Sequence, residues 1–199
     1  MLLGYMTLVA LTLIVVAYAL YNLQRINNLN RDIVKVDVLV QEASGKMLDA
    51  LFAQDTYEKR FLILKSPDAQ DLFLQREGEF RTWLDAIKQL PDRTEPSTST
   101  IETLYAKYTD LVYREFDLLL AGDIPNASAL SNQEVKMVLG KLLDTLKSLS
   151  AGAKESQERK MGQISAIGGK AFLTTALLCL FSILIGAVSV LVVTHHISS

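Results

Sequence analysis

The chain has 199 residues, 50% of them hydrophobic and 21% charged, with a formal net charge of −2; this suits about one ordinary domain and excludes the basic stripe that a nucleic-acid binder needs to neutralise phosphates. The average hides a partition by solvent, because all 20 Lys and Arg and all 22 Asp and Glu fall between Arg25 and Lys170. The flanks suit hydrocarbon and the middle suits water.

Residues 1–21 read as a first transmembrane helix. Leu2 to Tyr21 is apolar apart from Thr7, Thr12 and small residues, and about 20 residues at a 1.5 Å rise cover a hydrocarbon layer of roughly 30 Å. A cleaved signal peptide is the competing reading, since Ala17-Tyr18-Ala19 resembles a small-residue cleavage site. Against it, the segment lacks a basic start, and its helical pattern runs on with no Gly or Pro between Gly4 and Gly45.

Residues 22–170 read as a soluble all-α domain of four helices at 22–65, 68–90, 99–121 and 128–170. Breakers divide them. Ser66-Pro67-Asp68 offers a cap and a proline for the first helical position; residues 91–98 lead to Ser99 and Glu102 at capping-box spacing; Gly122-Asp123-Ile124-Pro125-Asn126 leads to Ser131 and Glu134, a further box. The outer helices come to about 65 Å and the inner pair to about 35 Å. Helices one and four can thus rise as a stalk on which two and three pack.

Helix one carries the longest seam, with Ile26, Leu29, Ile33, Val36, Val40, Ala43, Met47, Ala50, Gln54, Tyr57, Phe61 and Leu64 alternating at three and four residues. Such a stripe favours left-handed supercoiled packing. Helix two offers Phe73, Phe80, Leu84, Ile87 and Leu90; helix three offers Ile101, Tyr105, Tyr108, Val112 and Leu119. Helix four runs Val135, Leu139, Leu142, Leu146, Leu149 and Ala153, then shifts phase before Met161, Ile164 and Gly168, a stutter that implies local unwinding or a hinge.

Residues 171–194 form the second predicted transmembrane helix, with Ser182 and Gly186 at the spacing of close helix contact in lipid. Two spans put both termini on one side. Charge bias does not orient them, because the intervening region is too long for flanking Lys and Arg to govern insertion. Cys179 lies in this span, so no disulfide framework reports the compartment.

The chemistry open to the soluble region is narrow, because the two histidines, His195 and His196, and the single Cys179 all lie outside it. No Ser-His-Asp or Cys-His arrangement and no ordinary zinc site can be assembled there, and the scattered glycines form no phosphate loop. The expectation is therefore no enzyme in these residues, no catalytic site, no cofactor and no metal. His195-His196 reads as interfacial anchoring. Glu77, Glu79 and Asp71 could be paired carboxylates but read as solvated surface, as does the charge run Tyr57-Glu58-Lys59-Arg60-Phe61. Gln54 sits at a core-type position, where it can fix register or line a small ligand cavity.

This layout resembles the input modules of bacterial sensor histidine kinases and chemoreceptors. In those, a spanning helix, an extracytoplasmic four-helix bundle and a second spanning helix precede a HAMP linker. The most specific stretch is Tyr57-Glu58-Lys59-Arg60-Phe61-Leu62-Ile63-Leu64-Lys65-Ser66-Pro67-Asp68, with Phe73 and Arg76 beyond it. It looks like the helix-turn-helix of kinase sensor bundles, including CHASE-like ones. Thr194-His195-His196-Ile197-Ser198-Ser199 is similar to a HAMP entry, so residues 195–199 read as the start of a truncated cytoplasmic linker.

The resemblance implies a membrane-anchored antiparallel four-helix bundle with residues 22–170 on the extracytoplasmic (periplasmic) side, a parallel homodimer in the bacterial inner membrane, and a two-component sensor histidine kinase as the parent protein. It also implies a small-molecule or protein stimulus of unknown identity and site. The alternatives are the input region of a methyl-accepting chemotaxis receptor and a membrane-anchored helical adaptor.

Overall fold

The computed structural model describes residues 2–90 and 95–197. In chain order, α1 (Leu2–Asp32), a first π-helical turn (Ile33–Asp37) and α2 (Val38–Leu64) make one helical run. Then come α3 (Pro67–Lys88) and α4 (Glu95–Leu120), followed by a second run of α5 (Ile124–Leu130), a second π turn (Ser131–Val135) and α6 (Lys136–Ile197). Among the described residues there is no strand, and the fold is all-α as expected.

The turns follow from local chemistry. Lys65 closes α2 in the left-handed region at φ 49°, with its N–H on the Phe61 carbonyl at 2.8 Å. Ser66 is then extended, as the residue before a proline is pushed to be, and Pro67 starts α3 where its missing N–H costs nothing. The Ser66 side chain makes no cap. Gly122, at φ 85°, ends α4 with its N–H on Leu119 O at 3.2 Å and that of Asp123 on Leu118 O at 2.9 Å. Only glycine takes that conformation without strain, and the two bonds satisfy carbonyls that the helix end leaves open.

Two predicted capping boxes are not used. The Asp123 carboxylate accepts the Asn126 N–H at 3.3 Å, so α5 begins at Ile124 and Ser131 lies inside the helical run. Helix α4 begins at Glu95, ahead of Ser99, and Glu102 instead bridges to Lys88 at 2.8 Å. At the last break the local Asp123–Asn126 bond starts the helix ahead of Ser131.

Val34–Gln157 form one compact unit. Its core joins Val40, Met47, Leu51 and Phe61 of α2, Phe73, Phe80 and Ile87 of α3, Ile101, Tyr105, Tyr108, Phe116 and Leu119 of α4, Ala127 of α5, and Leu142 and Leu146 of α6. Each such large apolar side chain contributes about 1.5–3 kcal/mol on burial. Phe80 stacks on Tyr105 with centroids 3.7 Å apart. Phe61 and Phe73 meet Phe116 at 4.5 Å and 5.6 Å. Of the helix-one stripe, Ile33, Val40, Ala43, Met47, Ala50, Gln54 and Phe61 are buried, Ile26, Leu29, Val36 and Tyr57 are half-buried, and Leu64 is exposed.

The segments up to Ile33 and from Glu158 form a second unit. Each has one sheltered stripe at three-and-four spacing: Leu11, Val15, Tyr18, Asn22, Ile26, Leu29 and Ile33 on the first, and Lys160, Ile164, Ile167, Ala171, Thr174, Leu178, Ser182 and Gly186 on the second. Outside the stripes, large apolar side chains such as Leu13, Ile14, Leu20, Phe172, Leu177, Phe181 and Ile183 are exposed. Contiguous apolar exposure of this kind marks a surface made for something other than water. Eighteen-residue windows in the helical runs Val9–Leu64 and Ile124–Val188 reach mean hydropathies of 1.5 and 2.4, with 6% and 0% of the window buried. Both runs are long and apolar enough to cross a membrane.

Two sequence expectations about continuity change. Helix one is interrupted by the π turn at Ile33–Asp37, which inserts one extra residue and turns Asp37 inward at 4% exposure. The stutter predicted in helix four leaves no mark. Helix α6 stays α-helical from Lys136 to Ile197, and burial passes in phase from Ala153 to Lys160 while Met161 is exposed. Lys160 holds the slot that the apolar pattern vacated, its long aliphatic stem taking the place of an apolar side chain.

Candidate buried carboxyl site

Three elements bring polar groups into the centre of this core. Glu58 lies on α2 one turn before Phe61, Glu115 on α4 next to Phe116, and Ser131 opens the second π turn; they are 1%, 0% and 7% exposed. The Ser131 hydroxyl donates to Glu58 Oε1 at 2.5 Å. The Glu115 carboxyl is within hydrogen-bonding reach of Glu58, yet neither Glu115 oxygen finds a donor. Two ionised carboxylates have no proton to offer each other, so the contact becomes a hydrogen bond only when one of them is protonated.

The electrostatics point the same way. Burial pushes the Glu115 carboxyl up to about 9, and the neighbouring Glu58 charge adds to the rise. Burial also raises Glu58, against the opposing hydrogen bonds from Ser131 and Glu115. The proton belongs to the pair rather than to either residue. Lys59 supplies little relief, because its ammonium sits on Asp55 at the exposed side of α2. Tyr108, fully buried, has a hydroxyl with no partner and Glu58 as its leading charged neighbour; burial first and that charge second hold it well above its ordinary value.

A second buried glutamate shows the contrasting arrangement. Glu77 on α3 is 9% exposed, and its Oε1 accepts from Arg81 Nε and Nη2 at 3.0 Å and 2.7 Å. Its Oε2 accepts the Tyr113 hydroxyl. The Arg81 guanidinium lies over the Tyr105 ring at 5.6 Å, and Gln54 Nε2 donates to the Tyr105 hydroxyl at 2.9 Å. Burial raises both tyrosines, and for Tyr113 the Glu77 carboxylate adds to the rise.

The residues singled out in the sequence therefore scatter. Glu77 turns inward rather than facing solvent, Glu79 pairs with Arg76 at 2.7 Å, and Asp71 is exposed, so the three carboxylates share no site. Gln54 is buried with its Oε1 unpartnered. Within the charge run, Glu58 is buried while Lys59 and Arg60 are exposed. Cys179 is exposed on the apolar arm. The side chains of His195 and His196 lie outside the described residues. Among the described residues no three His, Cys, Asp or Glu side chains gather as a metal site would need.

Sequence reasoning missed Glu58, Glu115 and Ser131, although spacing carried a signal for two of them. Glu58 falls four residues after Gln54 and three before Phe61; Glu115 falls three after Val112 and four before Leu119. Both are stripe positions, where a charged residue is a buried charge until shown otherwise. Comparison with protein-family models, curated proteins and solved structures finds no match to this chain, so its reading rests on its own residues.

Proposed function

We propose that the chain is the input region of a bacterial two-span signalling receptor. Two transmembrane helices would enclose an extracytoplasmic antiparallel four-helix bundle, anchored in the inner membrane and paired with a second copy in parallel. The parent protein is most simply a sensor histidine kinase, with the catalytic domains outside these residues. The carrying observation is the single helix Lys136–Ile197, which contains core residues Val138, Leu142 and Leu146 at one end and the uncharged stretch from Ala171 onward at the other. A stimulus that favours one packing of the core would move α6 by roughly 1–2 Å or rotate it slightly, and the same covalent rod carries that shift onward.

Fusion to the HAMP linker and kinase domains of a receptor of known output tests this. Leu149→Pro breaks the rod between core and span, so stimulus-dependent phosphorylation is expected to disappear while the protein still inserts. A full response from that variant overturns the proposal. A reporter enzyme inserted at Gly122 that is active only in the cytoplasm overturns the orientation.

A further inference from the structure

Buried carboxyls that lack a cation have one remaining way to avoid an uncompensated charge, which is to hold a proton. The Glu58–Glu115 pair meets that condition from every side. On α2 the facing groups are Asp55, an acid, and Lys59, which is spent on Asp55. On α4 it is the hydroxyl of Tyr108, while Arg114, next to Glu115 in sequence, is exposed. From the second π turn comes Ser131, which already donates to Glu58, while Glu134 of the same turn is exposed. On α3 the buried Glu77 is bound by Arg81 and Tyr113, and Arg76 is paired with Glu79; α5 has no charged residue, and the first lysines of α6, Lys136 and Lys141, are exposed.

An independent sign of a missing proton is the set of empty acceptors and donors. Both Glu115 oxygens and the Tyr108 hydroxyl are fully buried without a partner, and such groups are rare in folded proteins. One proton on the pair satisfies the carboxyl contact directly, as an O–H from one glutamate to the oxygen of the other.

We infer that Glu58 and Glu115 form a proton-binding site that ties α2 and α4 to the second π turn through Ser131, and that its proton occupancy is a stimulus this region reads. The second half of that statement rests on the input-region reading; the first does not. When the proton leaves to water, two carboxylates are left facing each other in an apolar wall of Phe61, Phe73 and Phe116, with one hydroxyl donor between them. Repulsion then pushes α2 and α4 apart, and the Ser131 bond, stronger to an ionised Glu58, carries that shift into the π turn. The place where the strain emerges is the start of α6, the helix that would carry the signal.

Infrared difference spectroscopy on the full chain in lipid nanodiscs reads the site directly. Wild-type protein at pH 7 is expected to show the C=O stretch of one buried protonated carboxyl, lost on raising the pH past about 9. Glu115→Gln and Glu58→Gln should each remove that band while folding normally, because the amide supplies the missing donor to the remaining carboxylate. Absence of the band from wild type, or its survival in both variants, overturns the site. Loss of the band on adding magnesium or calcium at pH 7 also overturns it, in favour of a cation. If the band titrates as expected but the kinase fusion gives no pH-dependent output, the proton site stands and its role as a stimulus falls.

Discussion

Glu58 and Glu77 are glutamates buried in the same core, about five helical turns apart along the chain, and they are handled in opposite ways. Glu77 is clamped by the two nitrogens of Arg81 and by the Tyr113 hydroxyl, so its charge is paired and every oxygen is used. Glu58 meets another carboxyl, a serine and an unpartnered tyrosine, and its neighbouring cation, Lys59, is bonded to Asp55 instead. The difference separates a buried charge bonded to a guanidinium and a hydroxyl from a buried carboxyl pair with no cation bonded to it. Burial is common to both; the bonded partner is what differs.

The largest expected effect concerns pH and stability. Glu115 is raised from an ordinary 4.5 to about 9, so between those values the folded protein binds more protons than the unfolded chain. Stability from this source is therefore fully present below about pH 4.5 and is lost as pH rises through about 9, by up to about 1.4 kcal/mol per pH unit while the difference is one proton. Thermal unfolding in nanodiscs should show a melting temperature that falls with pH across this window, and Glu115→Gln should flatten the profile. An unchanged slope in the variant would place the titration elsewhere and erase the contrast with Glu77.

Next in size is removal of the apolar wall. Phe61 is 2% exposed, one turn after Glu58, and packs on Phe116, the residue after Glu115, so Phe61→Ala should cost about 3–5 kcal/mol. Water entering the cavity should also bring the carboxyl pair back toward the ordinary range. Chemical denaturation and the infrared titration check the two halves separately. A pair that still held its proton in the opened core would show that Coulomb repulsion, rather than desolvation, dominates the shift.

The smallest effect falls on the compensated site. Tyr113→Phe removes one donor from Glu77 and leaves the Arg81 fork in place, so the expected loss is about 1–2 kcal/mol. Equilibrium unfolding is the measurement. A loss as large as that of Phe61→Ala would mean that Arg81, half exposed as it is, does not compensate Glu77, and that the two glutamates are more alike than their geometry suggests.

Much of the chain's plan was legible because it depends on local rules. The helix breaks at Ser66-Pro67 and at Gly122 stand where proline and glycine force them. The heptad stripe from Val40 to Phe61 is the stripe that is buried, and residues 171–188 of the apolar end are exposed or only partly sheltered. The helix starts were less legible, since Asp123 and not Ser131 caps the last helical run, and a four-residue pattern does not say which of two oxygens reaches the free N–H first.

What the sequence by itself determined is the partition of charge, the helical class and the periodic faces, since each follows from residue type and spacing along one chain. Only the tertiary structure decided which buried polar groups find partners. Glu77 and Arg81 are neighbours on one helix, but Glu58, Glu115 and Ser131 come from segments far apart in sequence. Whether a carboxyl across the core faces a cation, a hydroxyl or another carboxyl is set by the register of three packed helices and a π turn, which no single helix encodes.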